Sequence, residues 1–213
     1  VSGGLHGVGA SAVNALSDAL EVQVYQDGKI YEQRYAKGVK LCDLTVIGDT
    51  DKRGTYVHFK PDGTIFETTE YDFKTLSERL RETAFLTKGL KITLTDLRGK
   101  EPKTVEYCYD GGIKEFVAFI NEGKDPVGDK IFYCEESSNG VLVEVAFQYT
   151  DEYSETLVSF VNNINTIDGG THVAGFRSAL TRGINDYVKK NELLKNGKLT
   201  GEDVREGLTA VLS

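Results

Sequence analysis

The chain has 213 residues, a formal net charge of −8 and a sequence pI near 5.0. This acidic balance excludes a chain whose whole surface binds nucleic acid, so extensive phosphate contact would have to come from local basic patches. The three cysteines lack C-x-x-C spacing, which argues against a disulfide framework or a zinc site and favours a reducing cytoplasm. There is no signal peptide and no apolar run near the ~18 residues of a membrane span, so no membrane partner is expected.

A glycine-rich stretch opens the sequence, with four glycines between positions 3 and 9. Glycines let a backbone approach a ligand closely and adopt positive φ angles. Val13, Leu16 and Leu20 follow at helical spacing, which predicts a helix that begins directly after the loop. Free N–H groups and the helix dipole make such a place favourable for phosphate.

The glycine spacing does not by itself identify a ligand. It reads Gly4-x-x-Gly7-x-Gly9, which matches neither the dinucleotide fingerprint nor the P-loop. The residues alone therefore leave a phosphate loop and a ligand-free glycine turn equally open.

The next hundred residues predict a hairpin-rich sheet with one helix. Val22 and Val24 alternate with polar residues, and Asp27-Gly28 is typical of a two-residue hairpin turn. Further strands are predicted for residues 30–35, 44–47, 56–59, 90–97 and 105–109, and a helix for residues 72–86.

From residue 110 the pattern predicts a second domain. Asp110 is expected to cap a helix that carries Ile113 and Phe116. Strands are predicted for residues 131–134, 141–149, 156–161 and 208–212, and a long helix begins near Thr171. Thr200 and Asp203 resemble a capping box.

Two features of this second part have competing interpretations. Gly169-Gly170-Thr171 suggests a second phosphate site, but a tight turn before the helix is favoured because no cluster of donors accompanies it. The densest basic group is interpreted as a solvated helix end rather than a DNA contact; it consists of Lys189, Lys190, Lys195 and Lys198.

Four segments, spread from one end of the chain to the other, together resemble one family. The family comprises the ATPase components of bacterial-type type II DNA topoisomerases, namely DNA gyrase B and its topoisomerase IV counterpart. The segments resemble its ATP lid, a late adenine-pocket motif and two parts of its transducer domain; they are Ser2-Gly3-Gly4-Leu5-His6-Gly7-Val8-Gly9-Ala10-Ser11, Gly54-Thr55, Asp168-Gly169-Gly170-Thr171-His172 and Gly201-Glu202-Asp203-Val204-Arg205-Glu206-Gly207.

The resemblance implies an α+β chain with two domains. Residues 1–109 would be the C-terminal part of a Bergerat (GHKL) ATPase α/β sandwich that carries the ATP lid. Residues 110–213 would be a truncated transducer domain with a mixed sheet and a long helix, similar to ribosomal protein S5 domain 2.

The resemblance also implies the site. Backbone N–H groups of the lid would hold the triphosphate of ATP, and Thr55 would support the network that binds adenine; the lid residues are Gly4, Leu5, His6, Gly7, Val8 and Gly9. The general-base Glu, the Mg²⁺ ligand and the γ-phosphate Lys of the family are not matched within this chain, so no catalytic or metal-binding residue is assigned. The Arg that many members carry before the first hairpin turn, associated with coumarin sensitivity, is Gln26 here.

The implied activity is ATP-dependent passage of double-stranded DNA, with negative supercoiling as in gyrase. The implied partners are double-stranded DNA, a DNA-cleaving gyrase A-type subunit and a second copy that dimerises when ATP binds, in the cytoplasm. Because the chain lacks methionine and begins inside the lid, it is expected to be a piece of a longer protein that hydrolyses no ATP alone.

Three alternatives remain open. Topoisomerase IV shares the same motifs but decatenates DNA. A mismatch-repair or chaperone ATPase shares the lid glycines but is expected to lack the two downstream segments. The third alternative is a non-enzymatic, protein-binding remnant of a GHKL domain.

Overall fold

The computed structural model describes residues 7–194 and 197–213. The chain divides into two compact units, an N-terminal unit (Ser2–Asp72) and a C-terminal unit (Phe73–Ser213). These units are defined by contacts within the chain, and they divide at a different place from the domains expected from the sequence. The boundary between residues 109 and 110 therefore stays a prediction about domain organisation.

The N-terminal unit contains one short helix and an antiparallel sheet. The elements are α1 (Gly9–Ala15), β1 (Ser17–Gln26), β2 (Lys29–Ala36), β3 (Val39–Lys40), β4 (Thr45–Asp49) and β5 (Gly54–Pro61). The strand order is β3-β2-β1-β5, and β4 also pairs with β2. Asp27 and Gly28 have φ angles of 52° and 75°, which confirms the predicted turn between β1 and β2.

The helix predicted to run through Leu20 is wrong in its extent. The hydroxyl of Ser17 donates to the carbonyl of Val13 at 2.6 Å, directly after α1 has ended. Leu20 instead lies buried on β1, between Tyr35 of β2 and Phe59 of β5. Hydrogen bonding to strands on both sides outweighs the helical spacing of three apolar residues, because local propensity is weak compared with tertiary pairing.

The C-terminal unit contains a mixed five-stranded sheet, a separate hairpin and four helices within its described residues. The elements are α2 (Phe73–Leu86), β6 (Ile92–Asp96), β7 (Lys103–Tyr107), α3 (Ile113–Ile120), β8 (Phe132–Ser138), β9 (Val141–Tyr149), β10 (Thr156–Val161), β11 (Ile164–Asn165), α4 (Thr171–Lys190), α5 (Gly201–Arg205) and β12 (Leu208–Leu212). The strands of the five-stranded sheet are ordered β11-β10-β12-β9-β8, with β10 and β12 parallel and the other pairs antiparallel.

The C-terminal unit is built around the aromatic ring of Phe85. This ring stacks on Tyr109 at a centroid distance of 3.7 Å and on Phe116 at 4.7 Å. The ring centroid of Phe116 in turn lies 6.2 Å from that of Phe160 on β10. The same core includes Val211 of the central strand β12, so α2, α3 and the sheet share one hydrophobic core.

Two predicted helix caps have different outcomes. The capping box is confirmed, since Asp203 N–H donates to Thr200 Oγ1 at 3.2 Å and Thr200 N–H donates to Asp203 Oδ2 at 2.7 Å. The cap by Asp110 is wrong, because Gly112, with φ 60°, occupies the N-cap position of α3. An acidic side chain still contacts this helix start, as Glu115 folds back to accept from Gly111 N–H.

Among the residues that the structure describes, no helix is both long and apolar enough to cross a membrane.

We expect Phe85→Ala to destabilise the C-terminal unit by about 3–5 kcal/mol, because it removes the central ring of the stack and leaves a cavity. Urea unfolding of the purified chain measures the change. Tyr153→Ala is the matched control, since that ring is 88% exposed and its loss should change stability by less than about 0.5 kcal/mol. Equal stability of the two variants would contradict the assignment of the core.

Candidate functional site

The described part of the predicted lid lies at the start of α1. Gly7 has a φ of 65°, which favours glycine, and a Cβ atom placed there would have no neighbour within 4 Å. Val8 occupies the N-cap position, is 60% exposed and makes no side-chain cap. Gly9 is the first helical residue. The other predicted lid residues, Gly4, Leu5 and His6, lie outside the described residues.

This helix start has the donors that a phosphate group needs. The carbonyl of Val8 accepts from Ala12 N–H at 2.8 Å, so the first turn is formed. The N–H groups of that turn have no acceptor within the helix. They are exposed and are flanked by the small residues Gly7, Gly9 and Ala10. Exposed backbone N–H groups are donors that a phosphate group can accept from, so phosphate binding at this helix start stays a prediction.

Thr55 lies near the start of β5, opposite Val24 of β1. It is exposed, as is Gly54 before it. Gln26 lies at the same end of the sheet, directly after Tyr25, the Cα partner of Gly54; it is exposed and lies opposite Lys29. The structure thus places Thr55 on the sheet of the N-terminal unit, and its role in binding adenine stays a prediction.

A buried carboxylate, which the sequence reasoning did not single out, holds the base of α1. Asp62 is 2% exposed, and its N–H donates to the carbonyl of Leu16, directly after α1, at 3.0 Å. Its carboxylate accepts from Thr64 N–H at 2.8 Å and from Lys37 Nζ at 2.8 Å. The Lys37 hydrogen bond and the two from Thr64 lower the pKa of Asp62 to about 2. The D-x-T pattern after β5 was the available sequence signal.

Lys37 connects the same anchor to the start of β1. Its backbone N–H donates to the carbonyl of Ser17 at 2.8 Å. Its ammonium group contacts the carboxylates of Asp62 and, at 3.4 Å, Asp18. The hydrogen bond to Asp62 raises the pKa of Lys37. Gly38 follows, and a Cβ there would lie 3.4 Å from the Cα of Ala15. The lid helix therefore ends on a fixed, charged support.

The C-terminal unit contains a basic cavity of about 1190 Å³ beside α4. Two acidic residues, Asp186 and Glu192, line it together with five basic ones, which are Arg177, Arg182, Lys189, Lys198 and Arg205. Glu155 holds Arg177 in two hydrogen bonds of 3.0 and 2.8 Å and lies 3.4 Å from Arg205. Of the basic group predicted from the sequence, Lys189 and Lys198 line this cavity. Lys195 lies outside the described residues.

The structure shows a tight turn at Gly169 and Gly170, before α4. Their φ angles are 76° and 154°, and Gly169 N–H donates to Thr166 at 2.9 Å. His172 Nε2 lies 3.1 Å from Thr166 Oγ1, so this ring contacts the turn. Within residues 7–194 and 197–213 no group of three or more His, Cys, Asp or Glu side chains is placed to bind a metal ion.

Comparisons with known proteins agree with these motifs. The family model described as DNA gyrase B matches residues 112–213. The DNA gyrase B protein of Bacillus mycoides is 55% identical over 100% of this chain and 53% of its own length. That of Streptococcus pneumoniae serotype 4 is 56% identical over 100% of this chain and 33% of its own length. The chain thus spans about half of the first relative and about a third of the second.

Solved structures show the same fold. The 43K ATPase domain of Thermus thermophilus gyrase B, in complex with an aminocoumarin, has a TM-score of 0.87 and 38% identity over 97% of this chain and 57% of that chain. The topoisomerase IV ATP-binding domain of Francisella tularensis has a TM-score of 0.78 and 29% identity over 100% of this chain and 58% of that chain.

We expect Asp62→Asn to lose a stabilisation that is present at neutral pH. Because the pKa of Asp62 falls from 3.8 to about 2 on folding, this contribution is present above about pH 4 and is lost as the pH falls toward 2. The stability difference between the unmodified chain and Asp62→Asn should therefore shrink over that range, as measured by thermal unfolding.

Asp49→Asn is the control, because Asp49 also pairs with a lysine, Lys29, but its side chain is 80% exposed. It should change stability little at any pH. An Asp62→Asn variant with the same unfolding midpoint as this control at pH 7 would rule out the anchor.

Proposed function

Because the chain belongs to the DNA gyrase B family, we propose that it is the ATP-lid and transducer segment of a type II DNA topoisomerase subunit. Its α+β fold is that of the GHKL ATPase domains of gyrase B and topoisomerase IV. The proposed activity of the whole subunit is ATP-dependent passage of double-stranded DNA in the cytoplasm, with negative supercoiling as the outcome.

The observation that carries the proposal is the glycine loop at the start of α1. Gly7 has a positive φ, and the exposed first turn of α1 presents N–H donors beside it. We assign phosphate binding to the backbone of Gly4, Leu5, His6, Gly7, Val8 and Gly9, and support of the adenine network to Thr55. When bound there, ATP would supply a γ-phosphate that is transferred to water.

The chain's own residues give this loop an adaptable part and a fixed part. Gly7 lets the loop adopt backbone conformations that other residues resist, so it can rearrange when phosphate binds. Asp62 and Lys37 fix the other end of α1. Ordering of such a loop on a γ-phosphate converts nucleotide occupancy into a conformational signal. We assign neither the Mg²⁺ ligand nor the general base to a residue of this chain.

The sequence favours a solvated helix end for Lys189 and Lys198; because both line one cavity beside α4, we propose this cavity instead as the DNA contact of this chain. A net charge of −8 restricts phosphate contact to local surfaces. Arg182, Lys189 and Lys198 line one concave surface, whereas Arg177 and Arg205 are engaged by Glu155. The other proposed partners are a DNA-cleaving gyrase A-type subunit and a second copy of the ATPase subunit.

A second candidate function is decatenation by topoisomerase IV. It is favoured by the likeness of the whole chain to the topoisomerase IV domain of Francisella tularensis. The higher identity to the gyrase B domain of Thermus thermophilus, 38% against 29%, favours gyrase.

The test is made with the full-length subunit and its DNA-cleaving partner. We expect ATP hydrolysis to rise when duplex DNA is added, and relaxed plasmid to become negatively supercoiled. Decatenation without supercoiling would assign the chain to topoisomerase IV. Hydrolysis indifferent to DNA would contradict the topoisomerase assignment. The isolated chain of residues 1–213 should hydrolyse no ATP.

We expect Gly7→Ala in the full-length subunit to lower kcat/KM for ATP about tenfold, because a Cβ at positive φ costs about 1–2 kcal/mol in the loop that must order. The matched control is Gly28→Ala, which introduces the same strain at a φ of 75° in the β1–β2 turn. An equal loss of activity in both variants would show that strain alone, and not phosphate binding, explains the effect.

A further inference from the structure

Two glutamates lie directly opposite each other on neighbouring strands of the C-terminal sheet. Glu135 of β8 and Glu144 of β9 are Cα partners in the antiparallel register. Like charges in this position repel and destabilise a sheet unless a cation lies between them. The cation here comes from outside the sheet.

Lys88, in the connection between α2 and β6, supplies that cation. Its Nζ lies 2.5 Å from Glu144 Oε1 and 3.4 Å from Glu135 Oε2. It also donates to the hydroxyl of Tyr133 at 2.7 Å, and that hydroxyl lies 2.6 Å from each of the two carboxylates. One ammonium group therefore connects the end of α2 to two strands of the sheet.

The path of the Lys88 side chain is built into the backbone beneath it. A Cβ atom at Gly112 would lie 2.7 Å from Lys88 Cε and 2.8 Å from its Cγ. Gly112 has a φ of 60°, which favours glycine, and the stem of Lys88 would have to shift to admit a side chain there. The stem of Lys88 thus crosses the start of α3 on its way to β8 and β9.

Hydrogen bonds within the cluster shift the pKa values of Lys88, Glu135 and Tyr133. The hydrogen bond from Lys88 to Glu144 raises the pKa of Lys88, and the hydrogen bond from Tyr133, followed by Lys88, lowers the pKa of Glu135. Burial, followed by the two carboxylates, raises the pKa of Tyr133 to about 12. Near neutral pH the cluster therefore holds a cation and a neutral phenol.

The ring of Tyr133 connects this cluster to the core. It packs against the cluster of buried residues that contains Phe85 of α2, while its hydroxyl contacts Lys88. The end of α2 is thus held to the sheet by apolar packing around Phe85 and by an ion pair at Lys88. Moving the end of α2 relative to β8 and β9 would therefore change both the packing around Phe85 and the distances from the ammonium group to the two carboxylates.

From this geometry we infer that Lys88 is a positioning residue that couples the end of α2 to strands β8 and β9, through the Glu135–Glu144 pair. The inference rests on the proposed function, in which a nucleotide-dependent signal from the lid must reach the transducer sheet. Residues 73–109 lie between the lid and the transducer sheet in the sequence. Within that segment, Lys88 forms ion pairs with Glu135 of β8 and Glu144 of β9.

The test uses the full-length subunit with its DNA-cleaving partner and measures ATP hydrolysis with and without duplex DNA. We expect Lys88→Met to leave hydrolysis without DNA unchanged and to lower its stimulation by DNA about five-fold or more, the size of a typical coupling between sites. Lys91→Met is the matched control, because Lys91 pairs with Glu106 at 2.8 Å beside the β6–β7 hairpin. It should keep full stimulation.

A double variant separates coupling from stability. Lys88→Met alone leaves two carboxylates facing each other, so it should also lower the thermal midpoint. Adding Glu135→Gln removes that repulsion and should restore the midpoint but not the DNA stimulation. Recovery of both by the double variant would overturn the inference and leave Lys88 a purely structural residue.

Two other outcomes are decisive. Unchanged stimulation in Lys88→Met and in Glu144→Gln would overturn the inference while leaving the proposed function intact. Absence of DNA stimulation in the unmodified subunit would overturn the proposed function, and the inference with it. If Lys88→Met does not fold, Glu144→Gln answers the same question, because it removes the shorter ion pair and keeps the shape of the side chain.

Discussion

The C-terminal unit depends on the stacking of one buried ring. Phe85 of α2 lies against Tyr109 and Phe116, and through Phe116 it reaches the sheet. A buried ring stacked on two other rings has few alternative positions, since interiors are close-packed. This stack is why α2, which precedes the predicted second domain in the chain, shares a core with the strands of that domain. The ion pairs of Lys88 connect the end of α2 to the same sheet against which this stack packs.

In the N-terminal unit, the proposed phosphate loop has to adapt to a ligand, whereas the residues that support it stay fixed. Gly7 and Gly9 provide a backbone with little side-chain bulk at one end of α1. At the other end, a buried Asp62 accepts from Lys37 and Thr64 and binds the chain after the helix. A buried carboxylate is stable only with such donors, so the anchor is specific in position as well as strong.

The outcome of the sequence predictions follows the range of the interaction involved. Local patterns were reliable: the Asp27-Gly28 turn, the helix from Phe73 and the capping box at Thr200 are all present. The helix expected to continue to Leu20 was wrong, because that segment pairs with β2 and β5. The cap expected from Asp110 was wrong because the chain turns at Gly112, beneath Lys88.

The sequence by itself determined the family, the loop that is assigned to phosphate and most secondary structure, because these depend on residues that lie close together in the chain. Only the tertiary structure decided that Asp62 supports the lid helix, that Lys189 and Lys198 line one cavity, and that Lys88 lies between two opposed glutamates. Each of these depends on contacts between distant segments. Burial and strand register set such contacts, and neither can be read from the spacing of residues in the sequence.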